Sequence, residues 1–241
     1  MLDTAFLEWL RATTEARWAD PSLRDIGQIG LGEPTWQPGT RWRGGLSASD
    51  LQIVEAMFSV RLPAAYRRFV ETLHTPDPPL AATQVRGGRI VRVEQRLFTD
   101  WSGDAFPIMA ALERPLDGLL RGVALGRWHP VWGERPADER EWLIRVRHLA
   151  GAARLIPLAG QRYLVALPGR DDGPVLAIHG ADASIVAPDL QAGLLRELGL
   201  QDGSAADATE TPAGAPETIP FWSEVVAGVP WLPRGDAAAS A

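Results

Sequence analysis

Cysteine, lysine and asparagine are missing from all 241 residues. Without cysteine the chain forms no disulfide, offers no thiolate nucleophile and builds no zinc-thiolate site, and nothing in it argues for an oxidising compartment. Without lysine, Schiff-base chemistry and a phosphate-binding loop of the G-K-[ST] type are excluded. All 24 basic residues are therefore arginine. Lysine and asparagine both have AT-rich codons, so the gap points to a GC-rich bacterial genome and carries no mechanistic meaning. No apolar run reaches the ~18 residues of a membrane span, and Met1, Leu2 and Asp3 do not begin a basic-then-apolar leader, so a cytoplasmic location away from membranes is expected. A formal net charge of −6 disfavours direct binding to nucleic acid or anionic lipid, both of which need a positive footprint, and suits a basic protein partner better.

What is present is enough for a sizeable core: 46% of the residues are apolar. The spacing predicts a helix over about Asp3 to Trp18, with Phe6, Trp9, Leu10 and Thr13 on one face and Asp3 or Thr4 as its cap. Residues 20–45 carry three prolines and six glycines and read as an irregular arm pinned by Trp36 and Trp42, so residues 1–45 are expected to pack on the body. In the stretch from Gly45 to Thr75, Ser47 and Asp50 form an acidic capping box, with Leu51, Val54 and Phe58 inward. That helix is expected to stop near Arg61, because Pro63 disfavours helical geometry before itself and suits the first turn of a second helix bearing Tyr66, Phe69, Val70 and Leu73.

Residues 89–94 alternate as a strand after the Gly87-Gly88 turn. Two helices follow, one from Phe106 to Leu120 broken near Pro115, the other from Pro136 with Trp142, Leu143, Val146 and Leu149 inward. The run from Leu155 to Ala187 reads as short strands in an antiparallel meander, closed by a helix from Pro188 to Leu198 with Gly199 as its left-handed cap. Residues 201–218 contain no Val, Ile, Leu or aromatic side chain and read as a flexible linker. Beyond it Phe221, Trp222, Val225, Val226 and Trp231 form a hydrophobic segment, within 219–241, expected to dock back on its own body.

Three stretches resemble the SUKH superfamily of Smi/Knr-like proteins. They are the helix pair with Glu55 and the Leu62-Pro63-x-x-Tyr66 step, the segment WGERP followed by a helix and ARLIPLAGQRYLVALP with GPVLAIHGADASIVAPDL, and the ending IPFWSEVV. The resemblance spans roughly residues 40–228, and HGADASIV departs from the more aromatic strand usual in the bacterial branch. It implies an α+β domain over 46–200, mainly antiparallel β-sheet flanked by helices. It also implies non-enzymatic binding, most often by an immunity protein that neutralises a cognate toxin within a polymorphic toxin system. Leu62, Pro63, Tyr66, Trp132, Gly133 and Pro157 match as framework, and no catalytic role carries over.

No catalytic residue, cofactor or metal ligand is expected. His129 with Glu134 and Asp104 invites a general-base or metal reading. Against it, His129 lies between two tryptophans in a proline-bounded loop, no second histidine sits at metal-ligand spacing, and neither HExxH nor GxSxG occurs. Asp171 and Asp172 sit in GRDDGP, where aspartate turns the chain. His74, His148 and His179 are read as structural in the same way. The expected partner-facing residues are Asp100, Trp101, Asp104, Trp128, Trp132, Glu134 and Asp138, with Glu139 and Glu141 serving the start of a helix. An acidic patch there would speed encounter with a basic nuclease toxin. Two other readings remain beside a cognate toxin as partner. One is a regulatory or scaffold module using the hydrophobic tail; the other is a small-molecule or carbohydrate binder stacking on Trp101, Trp128 and Trp132. Oligomeric state is left open.

Overall fold

Local signals decide where most elements begin. The computed structural model describes residues 2–20, 36–37, 39–200 and 218–226. They fall into two compact units, Met1–Asp104 with Leu158–Gly160 and Ala105–Pro157 with Gln161–Ala241, so a boundary lies inside the stretch read as one domain. The described residues form an α+β fold with seven α-helices and antiparallel strand pairings.

In the first unit, Asp3 caps helix α1 (Thr4–Ala19) by accepting from the Phe6 amide. The buried stripe differs from the expected one: Leu7, Leu10, Thr14 and Trp18 are inside, while Trp9 is 48% exposed and pairs with the Phe6 ring. Tertiary hydrogen bonding explains the rotation, since Thr14 Oγ1 accepts from Trp42 Nε1 at 2.8 Å and donates to the Leu10 carbonyl. Trp42 belongs to β1 (Arg41–Trp42), which pairs with β2 (Pro76–Asp77), and Trp36 lies 4.4 Å from the Trp18 ring. Most of the arm, residues 21–35, lies outside the described residues.

Helix α2 (Ala48–Phe58) begins with the reciprocal Ser47–Asp50 capping box. It ends earlier than Arg61, at a left-handed Ser59. Pro63 is the N-cap of α3 (Ala64–Thr72) rather than a member of its first turn. Glu55 binds the junction by accepting from the Leu62 amide at 2.9 Å and pairing with Arg67 at 2.6 Å. From α3, Tyr66, Phe69 and Val70 point into a core in which Trp42, Phe69 and Phe98 are in mutual ring contact. A hairpin completes the unit: β4 (Arg89–Gln95) pairs with β3 (Leu80–Arg86), a strand whose Ala-Ala-Thr-Gln composition hid it from periodicity.

The second unit opens on α4 (Ala105–Ala124), which runs unbroken through Pro115. Interior proline usually costs ~3 kcal/mol by removing a backbone bond. Here burial of Ile108, Leu119 and Val123 on one face outweighs it. A 3-10 turn (Pro130–Trp132) leads to α5 (Glu139–Ala150), which starts three residues after Pro136 because Asp138 caps it. The four-stranded sheet has the order β5 (Arg154–Ala159), β6 (Arg162–Ala166), β7 (Val175–His179), β8 (Asp182–Ala187). Helix α6 (Leu190–Glu197) follows, capped by Asp189, with Gly199 at φ +62°.

The tail returns to this unit. Ile219, Phe221 and Trp222, leading into α7 (Trp222–Val226), are buried with Val225 in the same cluster as Leu119, Trp128, Trp132, Trp142, Val146 and Leu176. Phe221 stacks on Trp132 at 5.1 Å and 15°. The linker to Glu217 and the end from Ala227, Trp231 included, lie outside the described residues. Among the described residues no helix is long and apolar enough to cross a membrane.

Candidate functional site

The seven expected partner-facing residues are divided between the two units. Asp100, Trp101 and Asp104 belong to the first unit, and Trp128, Trp132, Glu134 and Asp138 to the second. Asp100 is turned inward. Its carboxylate pairs with Arg43 at 2.8 Å and Arg96 at 3.0 Å, lies 3.5 Å from His74 Nε2, and accepts from the Ser102 hydroxyl at 2.7 Å. Burial pushes this carboxyl up, but the Ser102 hydrogen bond with Arg43, His74 and Arg96 outweighs burial and holds it below the usual range. Trp101 is 3% exposed and donates from its ring to Tyr66 Oη at 3.0 Å. Asp104 alone of these three is exposed.

His74, discounted in the sequence, is the centre of that cluster. It sits at φ +59°, buried, and its Nε2 accepts from the Trp101 amide at 3.1 Å. Chiefly burial, opposed by Asp100 and reinforced by Arg43 and Arg96, lowers its pKa from 6.5 to about 4. Between those values the unfolded chain holds a proton that the folded chain lacks. The neutral imidazole therefore contributes stability fully above pH 6.5, and the contribution is lost as pH falls toward 4. Urea unfolding between pH 7 and pH 4.5 should show a loss on the order of 2 kcal/mol that His74→Asn, which tolerates the left-handed backbone, removes. Identical pH profiles for both proteins would refute this account of His74.

In the second unit, Trp128 and Trp132 are core residues at 2% and 6% exposure, so they offer no open face for stacking a sugar or base. Trp128 Nε1 donates to the Gly133 carbonyl at 2.7 Å. His129 is 1% exposed, and its Nδ1 accepts from the Val131 amide to start the 3-10 turn. Glu134 is exposed, its carbonyl accepting from Arg145, and Asp138 is exposed but engaged in capping α5. Neither unit assembles His129, Glu134 and Asp104, since Asp104 lies in the other one. Asp172 joins its turn to α6 by accepting from the Gly173 and Leu190 amides, with burial pushing its carboxyl up. No group of three His, Asp or Glu placed to hold a metal occurs among the described residues.

A different feature of the second unit stands open: a cleft of about 720 Å³ between α4 and the β7–β8 turn. One stripe of α4, at positions 106, 109, 113, 117 and 121, lines it together with Leu125 just past the helix end, the spacing that puts side chains on one helix face. Phe106, Met109 and Leu125 are 81%, 49% and 75% exposed, so the stripe is apolar at both ends. Glu113, Asp117 and Arg121 are charged in its middle and exposed. The helix reaches the turn because Gly118 meets the Gly180 backbone and Gly122 meets Ala181. Across the cleft Arg127 and Asp182 approach to 3.5 Å. Sequence reasoning assigned Phe106 to a helix without separating its outer from its inner face. The signal lay in apolar residues that recur on both faces of α4, more than one core contact can bury.

Comparison with family models, with curated proteins and with solved structures finds no match for this chain.

Proposed function

We propose that this chain is a non-enzymatic protein-binding module of the immunity type, which neutralises a cognate toxin by occupying its surface, and that the α4 cleft makes the principal contact. The observation that carries the reading is the exposed stripe of Phe106, Met109 and Leu125 around Glu113, Asp117 and Arg121. Exposed apolar anchors beside charge suit a protein interface: the anchors supply affinity, and the charges between them set orientation and exclude wrong partners. Resemblance to SUKH immunity proteins supports the partner class. Burial of Trp101, Trp128, Trp132 and the Phe221-Trp222 pair favours this reading over ligand stacking or a scaffold role of the tail.

Phe106→Asp tests the site. Because the side chain is so exposed, stability should change by no more than about 0.5 kcal/mol. Loss of so large an exposed apolar anchor should cost roughly 2 to 4 kcal/mol of partner affinity, about 30- to 1,000-fold. In cells, deletion of the gene should leave a strain that parental neighbours kill in mixed culture, with rescue by the wild-type chain and not by Phe106→Asp. A deletion strain that survives beside its parent as well as the parent does would sink the immunity reading.

A further inference from the structure

The β3–β4 hairpin carries a second docking element, independent of the cleft. Its two-residue turn, Gly87 at φ +56° and Gly88 at φ +74°, is of the type that closes a tight hairpin, with Arg86 opposite Arg89. In such a hairpin the residues flanking the turn exchange both backbone bonds, and alternate pairs along the ladder do the same. The bonded pairs are then Arg86 with Arg89, Gln84 with Val91 and Ala82 with Val93. It follows that the N–H and C=O groups of Ile90, Arg92 and Glu94 point away from β3. Among the described residues no strand pairs with that edge of β4.

Side chains mark the same edge. Ile90 is 72% exposed and faces Val85, itself 55% exposed, across the ladder. An apolar cross-strand pair held in water beside an unpaired edge is a template for a further strand. Charge selects the occupant. Residues 80–95 contain three arginines against a single glutamate, in a chain whose formal net charge is −6. Arg89 has no carboxylate partner among the described residues, whereas Arg92, on the other face of the strand, already donates to the Gln37 side chain and lies 3.6 Å from Glu94.

We propose that the outer edge of β4 receives an extended acidic segment of a partner protein as an added strand, with its carboxylates on the face that carries Arg89 and its apolar side chains on the opposite face, against Ile90. A second copy of this hairpin fits poorly, because it would bring three further arginines and one glutamate to an edge already net positive. Nucleic acid fits poorly as well: it would engage the arginines alone, leave the backbone edge unsatisfied and meet an acidic chain.

The test uses the full chain and a labelled octapeptide alternating Glu with Val, compared with its Lys–Val counterpart by fluorescence anisotropy at low salt. The acidic peptide should bind at least about tenfold more tightly, and the preference should shrink as salt rises. Residue-resolved amide exchange should show Ile90, Arg92 and Glu94 slowing by about tenfold or more on binding, with Arg89, Val91 and Val93 unchanged because β3 already holds them. Arg89→Glu combined with Ile90→Asp should abolish binding. Slow exchange at Val91 and Val93 in that variant shows the hairpin intact, and if it is lost, Arg89→Gln serves instead with a several-fold loss. Phe106→Asp should leave the peptide affinity unchanged, which separates this site from the cleft. Equal affinity for the two peptides, binding without the alternating protection, or displacement of the peptide by duplex DNA would overturn the proposal.

Discussion

Truncation after Leu200 lowers the thermal unfolding midpoint by roughly 10 °C or more, an outcome checked by calorimetry or near-ultraviolet circular dichroism. The segment removed includes Ile219, Phe221, Trp222 and Val225, at 0%, 7%, 2% and 6% exposure. Full burial of one such side chain contributes ~1.5 to 3 kcal/mol, so the four together approach the ~5 to 15 kcal/mol of a whole domain's stability. Their loss also uncovers Trp132, whose ring stacks on Phe221 at 5.1 Å. The truncated chain should therefore bind a hydrophobic dye that the full chain does not. The hydrogen bonds that shape the segment are its own, Ile219 N–H to Ser223 Oγ at 2.6 Å and Ser223 N–H to the Ile219 carbonyl at 2.9 Å. They form without the body, so the destabilisation is one of lost burial. Trp222→Ala in the full chain should reproduce about 3 kcal/mol of it. A truncated chain that melts where the full chain does would show that this burial adds nothing.

Gly118→Ala should destabilise the second unit by about 2 kcal/mol or more and blunt partner binding at the cleft, although alanine is the better helix former by ~1 kcal/mol. The reason is contact, not propensity. A Cβ at position 118 would lie 2.3 Å from the Gly180 carbonyl oxygen and 2.7 Å from its carbon, both backbone atoms that cannot rotate away. Relief requires α4 to retreat from the β7–β8 turn, which moves Phe106, Met109 and Leu125 relative to the opposite wall. Gly88→Ala is the informative control for stability: it meets nothing within 4 Å, so only its φ of +74° opposes it. Urea unfolding of both variants, with binding measured for Gly118→Ala, decides the matter. A Gly118→Ala protein as stable as the wild type would refute the close approach.

Where a signal was local, it could be read before any coordinates. The Ser47–Asp50 box, the Tyr66-Phe69-Val70 face, the Gly87-Gly88 turn and the strands from Leu155 to Ala187 each follow from spacing or turn chemistry within a few residues. Strand β3 was hidden because Leu80-Ala-Ala-Thr-Gln-Val has little alternation, and only its register with β4 makes it a strand. Pro115 misled for a related reason: the rule against interior proline is local, and the burial that overrides it comes from Leu119 and Val123 packing at a distance. The candidate site was the least legible part. Asp100 and Trp101 looked available for contact by composition, yet their environment is made by Arg43, His74 and Tyr66, which lie far away in the chain.

By itself the amino-acid order excluded thiol, disulfide and lysine chemistry, set the acidic balance, and placed caps and turns, because each of these depends on a residue and its nearest neighbours. Which aromatic is core and which is surface was decided only by tertiary structure. Trp132 is covered by Phe221, which returns from nearly ninety positions later, whereas Phe106 is left open by the described residues. Burial is a property of what the rest of the chain brings alongside a side chain, and no window of sequence contains it.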